Sequence, residues 1–328
     1  MTTCRCCGGD TIRRGFYRNK SFNVQRFECH KCGTSFSEKL PLDNLRVDFK
    51  QACQVVSLLC EGMGIRAVSR FTGLHQQTVL NILVHAGNKC ARFLDAAIQN
   101  LKPEMVQVDE LFCYVGCKER NNVGHDYFRG DQYLFLALDA RSKLILSYVV
   151  GKRDAANALR LTKDLQRRVS TRFQLTTDGF PPYRYAMPRG LPRQTDFAQL
   201  FKIYANPKDG ELGERRYSVT RCIGTRIMVR SGKPDPTKVS TSYIERANLT
   251  VRLFNRRFTR LTLGYSKKFE YLMNSTALFV AHYNFIHKHS THNGQTPAQA
   301  AGLADHAWTV EELLGLGCEH LLQKLTPD

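Results

Sequence analysis

Nowhere does the chain carry an apolar run approaching the roughly 18 to 20 residues that a membrane-spanning helix needs. Its first residues, Met1-Thr2-Thr3-Cys4-Arg5-Cys6-Cys7, form no apolar signal region. These absences predict a protein that is neither secreted nor embedded in a membrane. Acidic residues are scarce: 29 Asp and Glu face 48 Lys and Arg, a formal net charge of +19. With 42% hydrophobic residues, that imbalance excludes a disordered basic tail and describes a folded protein that meets a polyanion. Internal repeats and low-complexity tracts are also missing. The 328 residues leave room for two or three domains. The 12 cysteines are unevenly spread, which fits reduced thiols and metal better than a disulfide scaffold. The expectation is a cytoplasmic protein that acts on nucleic acid.

What is present begins with Cys4-x-x-Cys7 and Cys29-x-x-Cys32, separated by 21 residues. Two such knuckles bring four thiolates into a tetrahedron around one Zn²⁺, and the aromatic and basic residues between them supply a β-ribbon. Cys6 and His30 lie inside the knuckles as alternative ligands. A segment of about forty residues has too little core to fold alone, so the metal reads as structural. Free thiols on a surface segment are the plain alternative.

Positions 48 to 98 then read as helical, with no Pro. A helix over 48–61 precedes one over 65–72, a turn at Gly73-Leu74-His75 and a third helix from Gln76, with Val79, Ile82 and Leu83 inward. Gln76, Gln77, Thr78 and Asn81 face outward, side chains suited to base edges and phosphates in a helix-turn-helix reader. An ordinary αα-hairpin has the same outline; the net charge and the adjoining ribbon favour DNA. From Met105 the pattern turns to strands, over 105–115, 132–139 and 143–150, the last two joined by the hairpin-like Ala140-Arg141-Ser142. A helix N-capped by Asp154 runs to Val169, and a strand from Phe173 to Asp178 stops at Gly179. Strands near 197–205 and 217–230, helices over 242–289 and a short helical tail from Thr296-Pro297 follow. The sum is a mixed α/β core behind two small domains.

Three acids carry the chemical reading. Asp109 lies in the first core strand, Asp178 at the C-terminal end of a later one, where α/β sheets place their sites, and Glu245 near the start of a helix. Intervals of 69 and 67 residues mean that only the fold can bring them together. Carboxylate oxygens suit Mg²⁺, and a pair of such ions can clamp the attacking and leaving oxygens of a phosphodiester. Each acid also has a plain reading. Strand alternation sends Asp109 and Glu110 to opposite faces, so only one of them faces the site, and the pattern does not choose. Asp178-Gly179 reads equally as a turn, and Ser242-x-x-Glu245 as a capping box.

The surroundings tip the balance. From Arg246 to Lys268 there are seven Lys or Arg and no acid. A helix through this segment puts Glu245, Arg252 and Arg256 close to one line, with Asn248 and Arg260 beside it. Such a face cannot pair with itself, as a solvated charged face does. It offers cations to a phosphate backbone beside a metal ligand.

With Val108-Asp109-Glu110, Leu175-Thr-Thr-Asp178-Gly179, Ser240-Thr-Ser-Tyr-Ile-Glu245-Arg-Ala-Asn248-Leu-Thr-Val-Arg252, Arg257-Phe-Thr-Arg260-Leu-Thr and Tyr265-Ser-Lys267-Lys268 in view, the chain resembles the DDE transposases of insertion sequences. The match is closest to the insertion-sequence-one-type family, over nearly the whole length. The resemblance implies an RNase H-like catalytic fold, and a Mg²⁺ or Mn²⁺ triad of Asp109, Asp178 and Glu245, with two ions per site. It selects Asp109 over Glu110 by motif. It also implies binding of double-stranded DNA, both transposon terminal repeats and target, and a homodimer or higher oligomer at synapsis in a prokaryotic nucleoid. Arg257, Lys267 and Lys268 join Asn248, Arg252, Arg256 and Arg260 as DNA contacts. The corresponding organisation is a zinc ribbon over 1–45, a helix-turn-helix domain over 46–102, a catalytic domain over 103–290 and a helical tail over 291–328. The interval before Glu245 is long for a DDE enzyme. A β insert near 206–238, bearing Arg215, Arg216, Arg221, Arg226 and Arg230, accounts for it either as a DNA or partner contact or as a plain hairpin. Two rival functions remain: a DNA-binding regulator with a domesticated core, and an RNase H-like nuclease without strand transfer.

Overall fold

The computed structural model describes residues 3–4, 6–18, 23–37, 45, 47–191, 195–205 and 222–315. About half of the expected insert (206–221, with Arg215, Arg216 and Arg221) and the last part of the expected tail (316–328) lie outside them. The N-terminal segment is a three-stranded antiparallel sheet in the order β1 (Thr11–Arg18), β2 (Asn23–Cys29), β3 (Ser35–Ser37). Its apolar content is small: Phe27 stacks on Phe36 at 5.7 Å between ring centroids.

Three helices follow, α1 (Phe49–Cys60), α2 (Ile65–Thr72) and α3 (Gln76–Ala97). Asp48 caps α1 by accepting from the Gln51 amide at 3.0 Å. Gly73 ends α2 at φ 70°, a left-handed position that glycine takes without a Cβ penalty. These helices have no core of their own. Their buried side chains, from Val55 and Val68 to Phe93, join one apolar cluster that runs through the rest of the chain to Leu314. Arg168 ties the C-terminus of α3 to the body, donating to the Leu94 and Ile98 carbonyls at 3.1 Å each.

The body is a six-stranded mixed sheet built from β4 (Met105–Val115), β5 (Gly130–Asp139), β6 (Ile145–Gly151), β7 (Phe173–Thr177), β8 (Thr195–Tyr204) and β9 (Cys222–Ser231). Its order is β6-β5-β4-β7-β8-β9. β4, β5 and β6 pair antiparallel, β4, β7 and β8 parallel, and β9 returns antiparallel on β8. The β5–β6 turn closes as the sequence predicts, with the Asp139 carboxylate accepting from the Ser142 amide at 2.9 Å. Between β6 and β7 runs α4 (Ala155–Arg168), its Asp154 cap accepting from the Asn157 amide at 2.8 Å. α5 (Tyr183–Gly190) links β7 to β8, and α6 (Ser242–Phe254), α7 (Phe269–Phe285), α8 (Pro297–Ala300) and α9 (Val310–Gly315) complete the chain. A mixed sheet flanked by helices in this connectivity fits an RNase H-like core. Among the described residues no helix is long and apolar enough to cross a membrane.

Two sequence readings are corrected. Helices do occupy 242–289, but the one bearing Glu245 does not run on through Arg256 and Arg260: α6 ends at Phe254, Asn255 caps it, and Arg256–Phe258 form a separate 3₁₀ turn. Asn255 is the physical cause. Its buried amide accepts from the Ser275 hydroxyl at 2.9 Å and donates to the Ser275 carbonyl at 3.2 Å, which pins the chain to α7 and turns it off the helix axis. Arg256 and Arg260 therefore do not continue the face of Glu245 and Arg252. The capping box from Ser242 to Glu245 is also absent, because Thr241, not Ser242, is the N-cap residue.

α3 lies along α7 at a glycine. A Cβ on Gly87 meets the Asn274 carbonyl oxygen at 2.4 Å and its Cα at 2.6 Å, backbone atoms that cannot swing away. Gly87→Ala should therefore push the two helices apart and destabilise the fold by about 1–3 kcal/mol despite alanine's better helix propensity. Denaturant unfolding measures this, and a variant as stable as the parent would show that the two helices separate without cost.

Candidate active site and metal centres

β4 outruns β7. Their parallel pairing stops at Val108 opposite Thr177, so the next residues, Asp109, Glu110 and Asp178, sit where the sheet opens. One oxygen from each of these three carboxylates can be chosen so that all lie within 4.8 Å of one another. Alternation along β4 holds, yet it does not separate its two acids. Asp109 turns toward α6, accepting from Asn248 Nδ2 at 2.8 Å. Glu110 turns toward α5, accepting from the Tyr183 hydroxyl at 2.9 Å and from Arg153 Nε at 2.7 Å. Asp178, at the end of the neighbouring strand, is within reach of both. The expectation that only one of the β4 acids faces the site is thus corrected.

Each acid is held locally. Asp109 Oδ1 accepts from the Glu110 amide at 2.9 Å, and Asp178 Oδ1 from the Phe180 amide at 3.0 Å. The chain bends at Asp178-Gly179 as Asp178 enters the cluster, and a Cβ on Gly179 would meet the Phe201 ring at 2.5 Å, so a larger residue there would have to displace that ring. Glu245 stands apart from the three. Its Oε1 accepts from the Thr241 hydroxyl at 2.6 Å and from Lys202 on β8. Its charge still reaches Asp109 and Asp178 and raises both. Glu110, which the motif sets aside, stands in the cluster, and Arg153 and Tyr183, which sequence reasoning misses, hold it. The adjacent Asp-Glu pair at a strand end is the one signal for the first; nothing in the sequence marks the other two.

Crowding shows in the electrostatics. Burial, then the neighbouring Glu110 and Asp178, push Asp109 up to about 7, and burial raises Glu110 and Asp178 as well. Among the described residues Arg252 forms no ion pair, and its Nε is buried without a hydrogen-bond partner. Burial and the nearby Arg260 lower its pKa, against the pull of Asp109.

A pH dependence results. Between about 4 and 7 the folded protein holds more protons at Asp109 than the unfolded chain does, so this group's contribution to stability falls as pH rises. His282 and His289, both pushed down to about 4 chiefly by burial, act in the opposite sense, since there the unfolded chain binds more protons. Comparing the parent with Asp109→Asn separates the two. The parent should lose stability relative to the variant as pH rises from 4 to 7, and Mn²⁺ at pH 7 should restore it. A difference that does not change with pH would remove the crowding.

At the other end of the chain, Cys4, Cys7, Cys29 and Cys32 bring their sulfurs within 4.8 Å of one another. Cys4 and Cys32 are 3.6 Å apart, and Cys7 and Cys29 are 3.5 Å apart. That is far from a disulfide bond and near the roughly 3.8 Å edge of a tetrahedron with 2.3 Å metal–sulfur bonds. The Cys6 and Lys31 amides donate to the sulfurs of Cys4 and Cys29 at 3.4 and 3.3 Å, as two residues on in a knuckle must. Cys6 and His30 are exposed and outside the cluster. This group and the acidic one could each hold a metal ion.

The outward residues of α3 are where the sequence puts them: Gln76, Gln77 and Asn81 are exposed, Thr78 partly so, and Gln77 Nε2 donates to Asn81 Oδ1 at 2.9 Å. Lys267 and Lys268 are exposed and Arg256 and Arg257 half-buried.

No family model and no curated protein matches this chain. Among solved structures it is similar to piggyBac transposase in a synaptic complex with hairpin DNA, at 9% identity over 85% of this chain and 70% of that one, with a TM-score of 0.38. It is also similar to a pre-cleavage Mos1 transpososome, at 11% identity over 72% of this chain and 78% of that one, with a TM-score of 0.22. Likenesses this distant carry no weight for the function of the chain.

Proposed function

We propose that this protein is a DDE-type DNA transposase, which binds the ends of a mobile element and cuts and joins DNA through a divalent-cation site. The observation that carries the reading is the clustering of Asp109, Glu110 and Asp178 within 4.8 Å at the mouth of two parallel strands, beside a segment rich in Lys and Arg and free of acid. Three crowded carboxylates with raised pKa values fit Mg²⁺ or Mn²⁺, which would relieve their mutual repulsion. Bound there, such ions supply charge for the attacking and leaving oxygens of a phosphodiester.

The chain's own residues do the rest. Asn248 fixes one oxygen of Asp109, and Tyr183 and Arg153 hold Glu110, so the acids are oriented before any ligand arrives. Arg252, which forms no ion pair among the described residues and feels the charge of Asp109, is a phosphate contact beside the acids. Glu245 is the third acid of the triad, and its approach to Asp109 and Asp178 requires the Lys202 contact to break. Cys4, Cys7, Cys29 and Cys32 hold one structural Zn²⁺. Gln76, Gln77, Thr78 and Asn81 read the element ends in the major groove, and two or more copies hold two ends together.

The test uses duplexes covering the DNA on both flanks of the reading frame. Purified protein with Mg²⁺ should release 3′-OH ends and join them to a second duplex, and EDTA should stop both. Binding without cutting would make the chain a regulator; cutting without joining would make it a nuclease.

A further inference from the structure

Where the chain leaves the 3₁₀ turn at Arg256–Phe258, it rises into a loop, 259–264, whose tip carries two apolar side chains in water. Leu261 is 84% exposed and Leu263 91% exposed. Leu261 also adopts φ 58°, a left-handed conformation that a branched side chain takes only at a cost. Two exposed leucines in a segment that also carries Arg256, Arg257, Arg260, Lys267 and Lys268 are out of place on a solvated basic surface. They suit a wedge that enters a base stack while the cations hold the backbone.

Directly behind the tip lies a cleft of about 490 Å³ between this loop and the starts of α2 and α3. That is within the roughly 300–1,000 Å³ of small-ligand sites. Its apolar wall includes Ile65, Leu80, Tyr265 and Tyr271, and its cations are Arg66, Arg256, Arg257 and Lys267, with no acid among the lining residues. Tyr265 is braced from behind by stacking on Tyr114 at 4.6 Å. Two lining groups are buried without hydrogen-bond partners, the Arg257 Nε and the Ser266 hydroxyl. Burial pulls the Arg257 guanidinium down to about 10, the mark of a cation that lacks a counterion. An anion with a flat, largely apolar body satisfies every wall of this cleft at once.

The cleft is not the acidic site. Ser266 pairs with Val115 at the far end of β4, and its carbonyl accepts from the Gly116 amide at 2.8 Å. Val115 is six residues beyond Asp109, about 20 Å along the strand, or roughly six nucleotide steps of duplex.

We propose that Leu261 and Leu263 wedge open the DNA stack and that the displaced nucleotide enters the cleft, its phosphate on Arg257 and its base against Tyr265 and Tyr271. This rests on the proposed DNA binding but not on the metal chemistry, so the test uses the full chain carrying Asp109→Asn and Asp178→Asn, without divalent ions. Duplexes from the flanks of the reading frame carry 2-aminopurine at successive positions, and complex formation is followed on the same samples by gel shift. At one position fluorescence should rise several-fold on binding. Leu261→Asn with Leu263→Ser should abolish that rise while the complex still forms. Asn tolerates the left-handed conformation, so this variant removes the wedge without straining the loop.

A second arm titrates free dAMP. Occupation of the cleft by the extruded nucleotide predicts that dAMP lowers the fluorescence of the parent complex, and that Tyr271→Ala weakens this competition. A complex with flat fluorescence at every position overturns the wedge and leaves the DNA reading intact. The same holds for a rise that survives in the double leucine variant, whereas dAMP that leaves the fluorescence of the parent complex unchanged overturns the entry of the displaced nucleotide into the cleft. The absence of any complex overturns both.

Discussion

Asp178→Asn should yield a folded protein that still binds element ends but cuts and joins them at least about a thousandfold more slowly, on the order of 4 kcal/mol in barrier. The substitution keeps the side chain's shape and its acceptor for the Phe180 amide, and removes the charge that a hard dication needs. Asp109→Asn should behave alike, and the double variant should be no worse than either, because the acids act on one site and their losses do not add. Glu110→Gln separates two roles. Glu110 holds Tyr183 and Arg153, so a positioning role predicts a loss of about 10- to 100-fold, and a loss as deep as that of Asp178→Asn would make it a ligand. For Glu245 the alternatives are equally sharp. If it serves only Lys202 and Thr241, Gln should work nearly as well; as the third acid of the triad, it should not. End cleavage and joining with Mg²⁺ or Mn²⁺, beside a binding control, decides each case.

Stripping zinc should unfold the N-terminal ribbon and leave the rest of the protein folded. Three short strands with one stacked phenylalanine pair have too little apolar burial to offset their chain entropy. Four thiolates on one Zn²⁺ contribute about 10–16 kcal/mol in comparable peptides. Among the described residues the large core from Val47 to Leu314 includes no buried side chain of β1, β2 or β3, and it should keep its melting transition. Metal analysis should give one zinc per chain, falling to none in Cys29→Ser and staying at one in Cys6→Ser. Chelation should remove the ribbon's amide protection in hydrogen exchange and weaken end binding. A chelated protein whose ribbon amides stay protected would make the cysteines incidental.

How legible the molecule is depends on the distance over which each feature is determined. The helices at 49–60 and 65–72, the turn after Asp139 and the Asp154 cap are set by neighbours within a few residues, and the sequence carries them. The four cysteines are legible for the same reason, since knuckle spacing is a local property. Asp109 and Asp178 stand out only with their motifs, because 69 residues separate them. Strand alternation admits only one of Asp109 and Glu110 to the site without choosing between them, and the motif sets Glu110 aside. Alternation holds within a sheet but fails to separate side chains where the neighbouring strand has ended. The break at Asn255 depends on Ser275, a contact across 20 residues, and no pattern within the α6 segment signals it. Lys202 on Glu245, and the cleft behind Leu263, join elements remote in sequence, which no local pattern can connect.

The proposed chemistry stands on the acids forming one cation site, and manganese reports on that directly. Free Mn²⁺ gives a sharp electron paramagnetic resonance signal that is lost on binding, so titration at pH 8 counts sites without any need for DNA or turnover. The parent should take up Mn²⁺ saturably, Mg²⁺ should compete for it, and Asp109→Asn with Asp178→Asn should reduce uptake to the background of free metal. Uptake by the parent no greater than by that double variant, with or without end DNA, would contradict the central claim.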